Sequence, residues 1–77
     1  MDKNNVQILD LRGLKCPMPV LKVNKAMKSF VSKEQLWLET TDPMAVIDIP
    51  AFCNQNGHAL LETQALEDCH RFLIEKG

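Results

Sequence analysis

The chain has 77 residues, 45 % of them hydrophobic, and a formal net charge of -1 with a pI near 6. That is one domain's worth of sequence, able to bury about 60 % of its unfolded surface and too small to wall in a deep active site. The near-neutral balance disfavours nucleic acid as a direct partner, because phosphate binding needs clustered Lys and Arg. Met1 to Asn5 is polar and no apolar segment of signal-peptide type follows it; nor is there a run of 18 or more apolar residues, so no membrane span is expected. Three widely spaced cysteines are an odd number, which fits thiols kept reduced in a cytoplasmic setting better than a disulfide framework.

In chain order, Val6 to Leu11 reads as a strand and Arg12-Gly13-Leu14-Lys15 as a loop. Pro17 opens a helical pattern in which Val20, Val23, Met27 and Phe30 recur at spacings of three and four, with Lys22, Lys25 and Lys28 on the other side. Gln35 to Thr41 alternates Leu36, Leu38 and Thr40 against Trp37, Glu39 and Thr41, and reads as a second strand. Asp42-Pro43 is a helix start, an acidic cap followed by proline at the first helical position. The second helix is expected from Met44 to Asn56, kinked or split at Pro50 and stopped by Gly57. Ala59 to Leu66 and Cys69 to Lys76 read as two strands of a hairpin turning near Glu67-Asp68. The order βαβαββ predicts one α/β domain over residues 1–77, a two-layer sandwich with both helices on one face of a four-stranded mixed sheet and a comparatively polar open face.

Unusual residues accumulate at Cys16-Pro17-Met18-Pro19. A residue before proline is driven out of the α region, which suits an N-cap. Pro17 then fits the first helical position, and Pro19 costs little because first-turn N–H groups lack intrahelical partners. Cys16 is therefore expected at the N-cap, with Met18 and Val20 supplying the free N–H groups around it and Lys15 adding positive potential. The helix end carries roughly half a positive charge, and thiol pKa values at such ends fall below about 8.5. A cysteine at this place can also be a plain apolar filler, but a structural helix start needs one proline rather than two. Position 19 is proline, so no Cys-x-x-Cys redox pair exists, and no histidine can be placed beside Cys16 from sequence to serve hydrolysis. What remains is single-thiolate sulfur exchange, the analogue of thiol–disulfide exchange.

The motif resembles the TusA/SirA-like sulfur carriers, over almost the whole chain. The resemblance runs through Leu9-Asp10-Leu11-Arg12-Gly13-Leu14-Lys15-Cys16-Pro17-Met18-Pro19-Val20 and Thr41-Asp42-Pro43. It continues with Asp48-Ile49-Pro50-Ala51-Phe52-Cys53, Gly57-His58 and Arg71-Phe72-Leu73-Ile74. It implies the same two-layer fold and a persulfide on Cys16; no cofactor or metal is expected. It also implies a cysteine desulfurase or other sulfur donor, and a downstream sulfur-relay protein. In one branch the sulfur ends in tRNA 2-thiouridine; others serve molybdenum cofactor supply, sulfur oxidation or thiosulfate use. Met18 departs from that first branch, where this position is acidic.

Asp10 and Arg12 flank the loop before Cys16, either orienting it and meeting a partner together with Lys15, or forming a surface ion pair worth about 0–1 kcal/mol. The lysines near the first helix serve docking or simple solvation. Cys53 and Cys69 are expected inside, and their spacing to His58 and His70 gives no zinc pattern. A competing function is a regulatory module binding nucleic acid or protein through its sheet, for which Trp37 is the sole aromatic candidate; substituting Cys16 separates the two, because a binding module survives it.

Overall fold

The computed structural model describes residues 6–77; the polar Met1 to Asn5 lies outside them. Six elements follow in the expected order: β1 (Gln7–Asp10), α1 (Met18–Met27), β2 (Gln35–Thr40), α2 (Ala45–Asn56), β3 (Ala59–Ala65) and β4 (His70–Glu75). The four strands form one mixed sheet ordered β1-β2-β4-β3. The βαβ unit makes β1 and β2 parallel, while β4 runs antiparallel to both β2 and β3. The two-layer α/β sandwich expected from the pattern is thus present.

Alternation along the central strands assigns the faces. Leu36, Leu38 and Thr40 of β2 and Phe72 and Ile74 of β4 are buried, paired as Leu36 with Ile74 and Leu38 with Phe72. Against them pack Val23 and Met27 of α1 and Ala45, Ile49, Phe52 and Cys53 of α2. The other face is less polar than expected. It sets Ile8 beside Trp37 and Trp37 beside Leu73, with the Arg71 guanidinium 4.8 Å from the centre of the Trp37 ring. Arg71 Nε is also 3.1 Å from Glu39 Oε2, close enough for an ion pair though out of line for a hydrogen bond. In β3 an extra residue, Leu61, falls between the pairs Leu60–Ile74 and Glu62–Leu73 and stands exposed as a bulge. The hairpin closes where the Leu66 N–H donates to the Cys69 carbonyl at 2.8 Å, around Glu67 and Asp68.

The helix boundaries need three corrections. Cys16 is not the N-cap of α1; Pro17 is, and the first intrahelical bond runs from the Leu21 N–H to the Pro17 carbonyl at 3.1 Å. Pro19 thereby becomes the second helical residue, and its ring is buried. Secondly, α2 begins at Ala45 with Met44 as N-cap. Asp42 still acts at that start, but as a turn before the helix: its Oδ1 accepts the Met44 N–H at 3.2 Å and its carbonyl accepts the Ala45 N–H at 3.0 Å. Thirdly, α2 is not split at Pro50. It continues to Gly57, whose left-handed φ of 73° ends it as expected. The missing Pro50 N–H deprives one carbonyl, that of Val46, whose residue is exposed to water.

Candidate functional site

The loop after β1 carries Cys16 to the carboxyl ends of the parallel strands, and a second loop, after β2, holds it there. Gly13 turns the first loop with a φ of 83°, a conformation open to glycine at little cost, and donates its N–H to Thr41 Oγ1 at 2.9 Å. The Cys16 N–H donates to Asp42 Oδ2 at 2.8 Å. Asp42 is itself buried, its own N–H bonded to Thr40 Oγ1 at 3.1 Å. One carboxylate therefore ties the cysteine loop to the start of α2.

Cys16 is exposed, whereas Cys53 and Cys69 are buried, as their expected structural role requires. The Cys16 side chain opens into a groove of about 290 Å³ between the helices, lined by Cys16, Pro17 and Val20 on one side and Asp48, Ala51 and Gln55 on the other. A larger hollow of about 560 Å³ lies at the opposite end of the sheet, by Gln7, Phe30 and Gln35, and no cysteine lines it. Neither His58 nor His70 lines the thiol groove; the His58 ring packs at 5.5 Å from Phe52 and that of His70 against Phe72.

The electrostatics of the thiol are opposite to the sequence expectation. Its pKa is raised, first by hydrogen bonding to the Asp48 carboxylate, then by partial desolvation and the negative charges of Asp48 and Asp42. Cys16 precedes the N-cap by one residue, and the Met18 N–H, expected to face the sulfur, donates instead to the Lys15 carbonyl at 2.8 Å. The helix end is thus partly satisfied by its own loop, while two carboxylates stand close to the sulfur.

The other candidates divide. Pro17 lines the groove; Pro19 lies beneath, in the core; Met18 is exposed beside Cys16. Lys15 is exposed, and its backbone carbonyl helps close the turn into α1. Asp10 and Arg12 grip each other: Arg12 Nε and its own N–H both donate to Asp10 Oδ1 at 3.0 Å, and its terminal nitrogen to Oδ2 at 3.2 Å. That bonding holds the Asp10 carboxyl below its ordinary range and raises the Arg12 guanidinium. The pair is exposed at the end of β1 and does not line the groove. Lys22, Lys25 and Lys28 stand in solvent along α1.

Sequence reasoning gave Asp48 no role, although it stands in the Asp48-Ile49-Pro50 segment, and gave Asp42 only a capping one. The usable signal was helical register: Asp48, Ala51 and Gln55 recur at spacings of three and four, a stripe beside the buried one of Ala45, Ile49 and Phe52. Among the described residues, no helix is long and apolar enough to cross a membrane. The family model described as Sulfurtransferase TusA matches residues 7–76, from the first residue of β1 to one past the end of β4. With nearly its whole length so matched, and an exposed cysteine at the mouth of its first helix, the chain belongs to the TusA sulfurtransferase family, which gives it a role in sulfur transfer.

Proposed function

We propose that this protein is a carrier that accepts sulfane sulfur as a persulfide on Cys16 and hands it to an acceptor protein. The observation that carries the reading is the contrast among its thiols within a sulfurtransferase fold: Cys16 stands exposed in an open groove, and Cys53 and Cys69 do not. The Cys16 thiolate attacks the outer sulfur of a donor persulfide. A new S–S bond forms at Cys16, the donor's S–S bond breaks, and the donor leaves as a thiolate that takes up a proton. No net oxidation occurs. Met18, Leu21 and Ile47, next in sequence to the lining residues Pro17, Val20 and Asp48, are exposed, which supports docking of a protein rather than enclosure of a small substrate. The donor proposed is a cysteine desulfurase in the cytoplasm, and the acceptor a sulfur-relay protein, with tRNA 2-thiouridine synthesis among the pathways served.

Incubation with a cysteine desulfurase and cysteine, with no final acceptor present, should add the mass of one sulfur atom on Cys16, removable by a reductant. Cys16→Ser should fold and carry nothing. An adduct on Cys53 or Cys69, or uptake by the serine variant, overturns the reading.

A further inference from the structure

Asp48 and Cys16 face each other across the groove, from α2 and from the turn into α1, with neutral Pro17, Val20, Ala51 and Gln55 completing its walls. Asp42, from the loop between β2 and α2, holds the Cys16 backbone, its Oδ2 accepting the Cys16 N–H at 2.8 Å. These two carboxylates are the charged groups that act on the sulfur. An anion receiver would present cations here, whereas the charged side chain among the lining residues of this groove is a carboxylate, Asp48.

We propose that Asp48 biases the carrier towards giving sulfur up: its carboxylate destabilises an anion on the Cys16 side chain and so weakens the hold of Cys16 on sulfane sulfur. The inference rests on the persulfide reading above. The exchange is Cys16–SH + R–S–SH giving Cys16–S–SH + R–SH. One S–S bond breaks at the donor and one forms at Cys16, the donor sulfur leaves with the proton Cys16 gave up, and the transferred sulfur keeps its oxidation state. A hydropersulfide is a stronger acid than the corresponding thiol, so the loaded side chain releases its proton to water more readily than the empty one. The empty thiol is neutral beside Asp48, whereas the loaded anion meets that carboxylate across the groove as a like charge. That repulsion raises the loaded state relative to the empty one. Asp48 is thus a residue for release, in a molecule whose task ends at hand-off.

The test equilibrates the full chain at neutral pH with glutathione persulfide and glutathione, traps all species by alkylation, and reads the loaded and empty protein by intact mass. Asp48→Asn should shift the equilibrium severalfold towards loaded protein, and should move the Cys16 thiolate titration, followed by ultraviolet absorbance, to lower pH. Asp48→Glu, which keeps the charge, should stay near the natural protein, as should Glu34→Gln in the turn before β2, at the opposite end of the sheet. Circular dichroism checks folding, and Asp48→Ser carries the same expectation if the asparagine variant is perturbed. Natural protein that loads on Cys16 while Asp48→Asn leaves the equilibrium unmoved, or moves it towards empty, overturns this inference and leaves the carrier standing. Natural protein that takes up no sulfur on Cys16 overturns both.

Discussion

Alkylation of the folded protein with iodoacetamide should label Cys16 and spare Cys53 and Cys69, with a rate profile displaced to higher pH than that of a free cysteine. Access favours Cys16, the exposed thiol. The displacement follows from Asp48 and Asp42, which keep the thiol protonated further up the pH scale, so its thiolate fraction near neutrality is smaller than an ordinary thiol's and climbs later. Burial raises the Cys53 thiol as well, which adds to its protection. Mass-spectrometric mapping across a pH series checks both parts; earlier labelling at Cys53 or Cys69, or a profile displaced to acid, counts against them. The candidate residue, an exposed Cys16, was legible in Cys16-Pro17-Met18-Pro19 because local backbone chemistry singles it out. The sign of its electrostatics was not, because Asp42 and Asp48 reach it only once the second βα connection folds back over the first.

The two helix starts form one assembly joined through Asp42. Replacing Asp42 with Ala leaves the Cys16 and Met44 N–H groups without their acceptor at a buried position and should cost about 1–3 kcal/mol. Urea denaturation measures the loss, and an Asp42→Ala variant as stable as the natural protein would show that water replaces the carboxylate without cost. Element type and order were readable from periodicity: strands at period two, helices at three to four, with Gly57 as a stop. The exact caps were not. Two prolines fit the first turn of α1 in either of two registers, and packing of the Pro19 ring into the core selects the one with Pro17 as the cap. Likewise an aspartate before proline suits both an N-cap and a turn one residue pair earlier, and the bond from Cys16 holds Asp42 in the turn.

At the scale of the whole molecule, a single core joins both helices to β2 and β4, so damage at its centre has no second core to fall back on. Phe72, fully buried in β4 opposite Leu38, is the largest side chain there. Phe72→Ala should cost about 3–5 kcal/mol, a large share of the roughly 5–15 kcal/mol that holds a small domain folded, and thermal melting should show a much lower or absent transition. The sheet's strand order was not fixed by sequence pattern, since alternation states which face is buried and not which neighbour lies alongside; β4 takes the centre because both Leu36-Leu38 and Leu60 need its buried face. The distribution of thiols has a further consequence, for assembly. A chain with one outward thiol is monovalent in disulfide coupling: joined once, it has no free end left to extend. Treated with diamide, the folded protein should stop at a disulfide-linked pair through Cys16, with no ladder of trimers and tetramers on a non-reducing gel, and Cys16→Ser should stay single. A ladder in the natural protein would mean that Cys53 or Cys69 reaches solvent, and a growing polymer would then report the opening of the core itself.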